Sequence, residues 1–495
     1  MAQAQITGAK AAEATFIEGK GSAIEVIDIF SNKDESKNVS IVNGVLTFLY
    51  YESILQDSVR AVVSYSDTGN SIGEGSDPKN YKTITEGLPL VGQERVNVKI
   101  QDNNQNELKM VLYVNKVNPL SEDTRKQIVQ LELASREFIM NEKVRVNTRF
   151  DGKISDHIKK LLEDKKYLGP TDKSEGKEGF KAKKIDVEET ENTYNFVGNN
   201  KKPYYIINWL SRGSVPKLPE AGGATGISAG FLFWETNKGL HFKSIDSLFA
   251  QRPKLSVLYN ESPDENNTPP VGYDVKALEY SVSNAVDVQK KLKLGAYSTR
   301  LIVFNPFNTY YEVVNPKAKD NEDKLSLAGK ELPVLNDEFN KEGGPDFSRT
   351  TYMLLDPGSL PSGKGIGKGQ EQVQKREQEN FKPKEYLNQG IMRMNQLFSQ
   401  KTTITIPGDF TLHAGDAIFV DAPQVSGDPE NDKENTQTGG LYIIADLCHY
   451  ISAKNTLTKL NLVRDSFGRK PKSRSSKNDK ASRDYQDAKG DVLLS

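Results

Sequence analysis

Between Ala23 and Glu137 apolar residues alternate with polar ones in short stretches: Val59, Ala61, Val63, Tyr65; Val96, Val98, Ile100; Leu108, Met110, Leu112, Val114; Val129, Leu131, Leu133. A period of two places one set of side chains on one face of an extended chain, so each stretch predicts a half-buried β-strand. Ser66-Asp67-Thr68-Gly69-Asn70 and Asp102-Asn103-Asn104 punctuate them with residues that tolerate positive φ or cap their own turns. The pattern is that of an antiparallel barrel or sandwich.

At Asp151-Gly152 the period changes, and Ile154, Ile158, Leu161 and Leu162 share one helical face. Lys165 to Glu191 is rich in Lys, Glu and Gly with few apolar residues, and reads as an exposed insertion that buries too little to order itself. Pro203 suits a first helical turn, with Ile206, Ile207 and Leu210 on one face and Gly213 as a stop. Phe231 to Trp234 and Leu240 to Ile245 then form a predicted hairpin whose turn, Asn237-Lys238-Gly239, uses its glycine. After a Pro/Asn-rich loop near Glu261 to Pro270, Ala277 to Val282 reads as a strand. Asn284 is the expected cap of a helix with Ala285, Val288 and Leu292 inward and Gly295 closing it. Leu301 to Phe304 and Tyr310 to Val314 are further strands.

Pro357 to Lys384 carries little apolar content and reads as a mobile loop, whereas Leu387, Ile391, Met394 and Phe398 make a helical stripe. Ile404 and Ile406, Phe410 and Leu412, Ile418 and Val420, Leu441 to Ile451, and Thr458, Leu460 and Leu462 predict four or five strands, with turns at Pro407-Gly408 and Ala414-Gly415-Asp416. The polar tail after Gly468 is expected to be disordered. No repeat of fixed period is present. The fold class is mainly β with α+β insertions.

A length of 495 residues exceeds what one core usually serves, so several domains are expected. With 66 Lys and Arg against 67 Asp and Glu, net charge gives no overall attraction to nucleic acid, membrane or acidic substrates. One cysteine, Cys448, excludes an internal disulfide framework and a thiolate zinc site made by one chain. Met1 to Glu13 lacks the apolar stretch of a secretory signal and no apolar run approaches the ~20 residues of a membrane span, so a soluble, cytosolic product is expected.

Gly226-Ile227-Ser228-Ala229-Gly230 has nucleophile-elbow spacing, but a loop precedes it and a strand follows, the reverse of what an elbow needs. Ser362 to Gly369 resembles a phosphate loop only superficially: the first glycine is out of place, no Ser or Thr follows the lysine, and no strand leads in. His157, His241, His413 and His449 are widely spaced, without the i, i+4 pairing of a helical metal site. Cys448 and His449 are adjacent, so on a strand they face opposite ways and form no dyad. Lysines at Lys159-Lys160, Lys181 to Lys184 and Arg469 to Lys480 are interleaved with acids and lack stacking aromatics, as solvated faces do. No catalytic residue, cofactor site or metal site is nominated. A pair of carboxylates acting on a glycosidic bond stays open, because spacing in space is not legible in sequence.

Three segments resemble the central hub protein of T-even-like contractile phage baseplates, a relative of the hub part of type VI secretion spike proteins. They are LELASREFIMNEKVRVNTRFDGKISDHIKKLL from Leu131 to Leu162 and GFLFWETNKGLHFKSIDSL from Gly230 to Leu248. The third is TTITIPGDFTLHAGDAIFVDAP from Thr402 to Pro423 with GGLYIIADLCHYISAKNTLTKLNLVRDSF from Gly439 to Phe467.

The resemblance implies two tail-tube-like β-barrels per chain and a homotrimer whose six barrels form a pseudo-sixfold ring. It maps residues 1–20 to a flexible N-terminus, 21–150 to the first barrel and 151–224 to an α/β connector with an exposed insertion. Residues 225–260 and 401–467 become the two parts of the second barrel, 261–400 a mixed insertion with mobile loops, and 468–495 a disordered tail. Implied partners are the tail tube, the central spike, baseplate wedge proteins and DNA in transit, in the virion tail after assembly in the bacterial cytoplasm; neither cofactor nor membrane insertion is implied. The rival readings are a tail-associated wall hydrolase acting through Ser228 and a secretion spike hub. The spike hub normally carries a fused needle, which the short polar tail argues against.

Overall fold

The computed structural model describes residues 22–34, 36–73, 81–169, 183–217, 228–260, 269–284, 286–305, 309–339, 347–354, 383–424 and 434–472. The first alternating stretches become β1 (Ala23–Phe30), β2 (Asn38–Ser40), β3 (Val45–Ser53), β4 (Arg60–Asp67), β5 (Arg95–Gln101), β6 (Glu107–Asp123) and β7 (Lys126–Ala134), with a one-turn helix α1 (Ile84–Gly87). They pair antiparallel in the order β3-β4-β7-β6-β5-β1-β2. The in-phase residues, such as Ile27, Val63, Val98, Leu112 and Leu131, are buried together. At the β5–β6 turn, Asp102 Oδ1 accepts from the amides of Asn104 and Asn106 at 2.8 Å each, closing the loop on itself.

The middle of the chain packs α2 (Arg136–Lys143), α3 (Ile154–Glu163) and α4 (Pro203–Ser211) around small sheets. The pair β8 (Arg149–Phe150) and β10 (Phe196–Val197) flanks a second sheet in which β9 (Lys184–Val187) lies parallel to β12 (Gly239–Ser244), itself antiparallel to β11 (Phe231–Thr236). The stripe of α3 is buried as its spacing predicts, with Ile154, Ile158, Leu161 and Leu162 in one core beside Phe150, Ile207 and Phe242. Two expectations change here. The segment Lys165 to Glu191 is partly ordered, because Lys184–Val187 adds a strand to β12; residues 170–182 lie outside the described residues. Gly239 is required less by the hairpin turn than by this neighbour, since a Cβ there would sit 2.1 Å from the Lys184 carbonyl oxygen.

After α5 (Ile245–Phe249) come β13 (Leu255–Leu258), β14 (Val275–Lys276) and β15 (Glu279–Asn284). An excursion follows: α6 (Val288–Leu294), then β16 (Thr299–Asn305), β17 (Tyr310–Val314) and β18 (Arg349–Leu354) in the order β17-β16-β18, and then α7 (Pro383–Gln396). The cap of α6 is Asp287, whose carboxylate accepts from the Lys290 amide at 2.9 Å. Asn284 instead ends β15, and Val288 is exposed rather than inward. Gly295 closes the helix at φ +75°, as expected.

The chain returns as β19 (Gln400–Pro407), β20 (Ala417–Asp421), β21 (Gly440–Ser452) and β22 (Thr456–Arg464), with β21 paired to β20 and β22, and β22 to β19. Consecutive residues then carry backbone bonds in opposite directions: the Ala277 amide donates to Leu258 of β13 and the Leu278 amide to Thr405 of β19. The run through β14 and β15 therefore bridges the two flanks of this second β unit. Beyond Gly468, Arg469 is held by Asp421 and Lys470 by the Leu327 carbonyl, so the first tail residues are pinned; 473–495 lie outside the described residues.

The two β units, far apart in sequence, meet edge to edge. β3 pairs antiparallel with β21 through seven residue pairs from Asp446↔Ser53 to Ser452↔Thr47. They share one hydrophobic cluster, in which Phe48 and Tyr50 accompany Ile404, Leu447 and Leu460. The Asp102 turn reinforces the junction, its Oδ2 accepting from the Phe410 amide at 3.1 Å.

Candidate functional site

Three buried polar networks sit where the β units, the middle layer and the excursion converge. The first is centred on Glu52 of β3. Its Oε1 accepts from Tyr50 OH at 2.8 Å and from the Asn237 amide at 2.8 Å, its Oε2 accepts from the Ala414 amide at 2.9 Å, and His413 Nδ1 stands 3.1 Å from Oε1. Burial opposes the charge, but His413 and the two amides outweigh it and hold the Glu52 carboxyl below its ordinary range. His449 stacks on Tyr50 at 6.1 Å and places Nδ1 2.9 Å from Thr458 Oγ1. Glu52 thus fastens the β11–β12 turn and the loop before β20 to the seam between the two β units.

The second network surrounds Arg393 of α7, whose side chain is 1% exposed. One terminal nitrogen donates to Asp246 Oδ1 at 2.9 Å and to the Ser326 carbonyl at 2.7 Å; the other donates to Asp465 Oδ2 at 2.5 Å. Asp465 Oδ1 accepts from the Ala328 amide and from Ser466 Oγ–H. Removing the cation would leave two buried carboxylates unpaired, a loss on the order of 3–5 kcal/mol. In the third network Lys183 lies between Glu137 of α2 and Glu235 of β11. Burial disfavours its charge, but the two carboxylates prevail and raise its pKa.

Ser228 belongs to the second network. It is 1% exposed, and its hydroxyl donates to Asp246 Oδ2 at 2.6 Å. A serine bonded to a carboxylate already committed to arginine, with β11 following it, has neither the imidazole nor the strand-turn-helix setting of an acyl-transfer nucleophile. Gly226 and Ile227, and the glycine-rich stretch Ser362 to Gly369, lie outside the described residues.

The other sequence candidates are placed as packing or fastening groups. His157 sets Nε2 2.8 Å from the Tyr194 carbonyl and lies edge-on to Phe150 and Phe196. His241 stacks on Trp234 and meets Thr236 Oγ1 at 2.9 Å. On β21, His449 is buried while Cys448 is on the opposite, half-buried face beside Tyr51, where burial pushes its thiol up. His413 and His449, separate in sequence, are brought together around Glu52. Among the described residues no cluster of three or more His, Cys, Asp or Glu is placed to hold a metal ion, and no helix is long and apolar enough to cross a membrane.

Sequence reasoning missed the centres Glu52, Glu235 and Arg393. One signal for the first was available: Phe48, Tyr50 and Glu52 are in phase, so an acid occupies a core position of the alternation, where it demands partners.

A broad apolar surface lies elsewhere. On the three-stranded sheet the pairs Ile302↔Val313, Phe304↔Tyr311, Ile302↔Tyr352 and Phe304↔Leu354 put six apolar side chains on one face. Leu301 and Val303 fill the opposite, buried face. Tyr352 is 77% exposed and Leu354 69%.

No protein-family model matches the sequence, and no curated protein matches it. Solved structures do. The chain is similar in structure to phage tail proteins and type VI secretion spike proteins. A tail protein from Neisseria meningitidis, 10% identical, is matched over 90% of this chain and 97% of its own, with a TM-score of 0.46. A 43 kDa prophage tail protein from Shewanella oneidensis, 11% identical, is matched over 89% and 98%, with a TM-score of 0.45. An E. coli component of the type VI secretion system, described as similar to bacteriophage tail proteins, is 10% identical and matched over 86% and 76%, with a TM-score of 0.36.

Proposed function

We propose that this chain is a structural hub of a phage tail baseplate. In this reading each β unit is one tube-like barrel, and three chains close into a ring of six barrels. The ring seats a sixfold tail tube on one side and a threefold spike on the other, leaving a channel for the genome. The observation that carries the proposal is the β3–β21 seam, which joins two β units from opposite ends of the chain edge to edge, as neighbours in a ring would be. The hub-like segments Leu131 to Leu162, Gly230 to Leu248 and Thr402 to Phe467 support it. So does the exposed apolar face of β16–β18, since a contiguous apolar surface of this kind marks a contact site in assembling proteins.

The networks around Glu52, Arg393 and Lys183 act as fasteners holding the two units and the inserted layers in fixed relation, a requirement of a load-transmitting part. The hydrolase alternative gains nothing from Ser228, whose hydroxyl is buried against Asp246. The test is native mass measurement with imaging of the purified protein, alone and with its spike partner. Three chains of 55.1 kDa, about 165 kDa, in a hollow ring are expected; a solid monomer that never assembles would overturn the proposal.

A further inference from the structure

We infer that a cleft of about 900 Å³ on the outer face of β1, β5 and β6 receives an acidic loop from a second copy of this chain. The inference rests on the ring reading above and names the contact that would close the ring. Val26, Asp28 and Phe30 of β1 and Arg95 and Asn97 of β5 line the cleft, out of phase with the core residues Ile27, Ile29 and Val96. The turn between β11 and β12 forms the other wall, with Asn237 and Lys238.

The cleft holds an excess of unneutralised positive charge. Lys99 is engaged by Glu25 and Glu107, and Lys183 by Glu137 and Glu235. Arg95, Lys109 and Lys184 line the cleft with no ion-pair partner among the described residues, and Arg95 lies over the Phe30 ring at 4.2 Å; Lys238, on the opposite wall, has the carboxylates of Asp416, Glu52 and Asp409 acting on its charge. Asp28 is the acid left to face them. Unsatisfied polar atoms point to a ligand independently: Arg95 Nε, Asn97 Oδ1 and Asn237 Oδ1 are buried there without hydrogen-bond partners. Such atoms are costly unless an occupant brings donors and acceptors, and a polypeptide backbone brings both. Phe30, Val111 and Tyr113 add apolar and aromatic surface, and the volume suits several side chains rather than one small anion.

The chain itself carries the complementary charge. β13 and β20 run parallel with Leu258 opposite Asp421, so the connections that follow them leave the second β unit at the same end. In sequence, these connections carry Glu261, Asp264 and Glu265, and Asp428, Glu430 and Asp432, against the single basic residue Lys433; Glu434, at the end of the second connection, is engaged by Arg469 of its own chain. The cleft is built by the first β unit and the middle layer, and the acidic connections follow strands of the second β unit, so their contact between copies is head-to-tail, the type that closes a ring. Charge complementarity of this kind sets register and rejects wrong pairings.

The experiment compares the full-length chain with a cleft variant, Lys109→Glu with Lys184→Glu, a loop variant, Asp428→Lys with Glu430→Lys, and the variant carrying all four. Sedimentation across a concentration series should show each two-fold reversal raising the concentration needed for trimer by about tenfold, and the four-fold swap restoring it. Neutral Lys109→Gln with Lys184→Gln, which introduces no new acid into the cleft, should give a smaller shift in the same direction. A trimer indifferent to all of these changes would overturn the cleft and leave the ring reading intact. If the unaltered chain stays monomeric, the ring reading fails. A labelled peptide of residues 424–436 then decides the cleft: binding weakened by Lys109→Glu with Lys184→Glu supports it, while no binding, or tighter binding of a single-stranded oligonucleotide at the same lysines, overturns it.

Discussion

His449 is fully buried on β21, and burial pushes its pKa down to about 4, with nearby His413 adding to the shift and Glu52 and Asp409 opposing it. An imidazole titrating near 6.5 when unfolded and near 4 when folded binds more protons in the unfolded state between those values. Its contribution to stability is therefore complete above pH 6.5 and is lost as the pH falls toward 4, by roughly 3 kcal/mol in all. His449→Gln keeps a polar group near Thr458 but cannot titrate. Denaturant unfolding at pH 7 and pH 4.5 should show a smaller acid loss in the variant than in the parent chain; equal losses would place the acid sensitivity elsewhere. The same residue shows what a sequence conceals. Its alternation with Cys448 is legible, but its neighbours Tyr50, Phe410 and Thr458 come from three other segments, and only the fold supplies them.

At the scale of elements, periodicity carried most of the fold. The strand phases from Val59 to Leu133 and from Ile404 to Leu462, and the stripe of α3, were set by local alternation because one face of each element is buried. What local pattern could not reach was pairing between distant segments: β9 was hidden in a Lys/Glu-rich stretch because its order comes from β12, and Arg393 reads as a surface residue until Asp246 and Asp465 close on it. The β3–β21 seam is the same kind of feature. Because it makes the two β units share one ladder and one core, they should unfold together. Scanning calorimetry is expected to give a single transition for the β units, and a proline at Leu447, which lies between β22 and β3, should lower both units at once. Two separate transitions, with only the second β unit responding to the proline, would contradict a shared core.

For the whole molecule, a net charge of −1 conceals an uneven distribution. Arg95, Lys109 and Lys184 collect at the cleft and the connections that follow β13 and β20 are acidic in sequence, while the β16–β18 sheet offers an apolar face. These surfaces answer differently to salt. Raising ionic strength from about 0.1 M to about 1 M shortens the screening length from about 10 Å to about 3 Å, weakening contacts between exposed charges and leaving apolar burial unweakened. If copies meet through the charged pair, the proportion of trimer at fixed protein concentration falls as sodium chloride rises, with the loss concentrated in slower association. If they meet through Phe304, Tyr311, Tyr352 and Leu354, the proportion holds or increases, and Tyr311→Ser with Tyr352→Ser disperses it instead. On the ring proposal, light scattering across a salt series therefore separates the two surfaces, and a trimer that strengthens with salt would reassign the contact between copies from the cleft to the sheet.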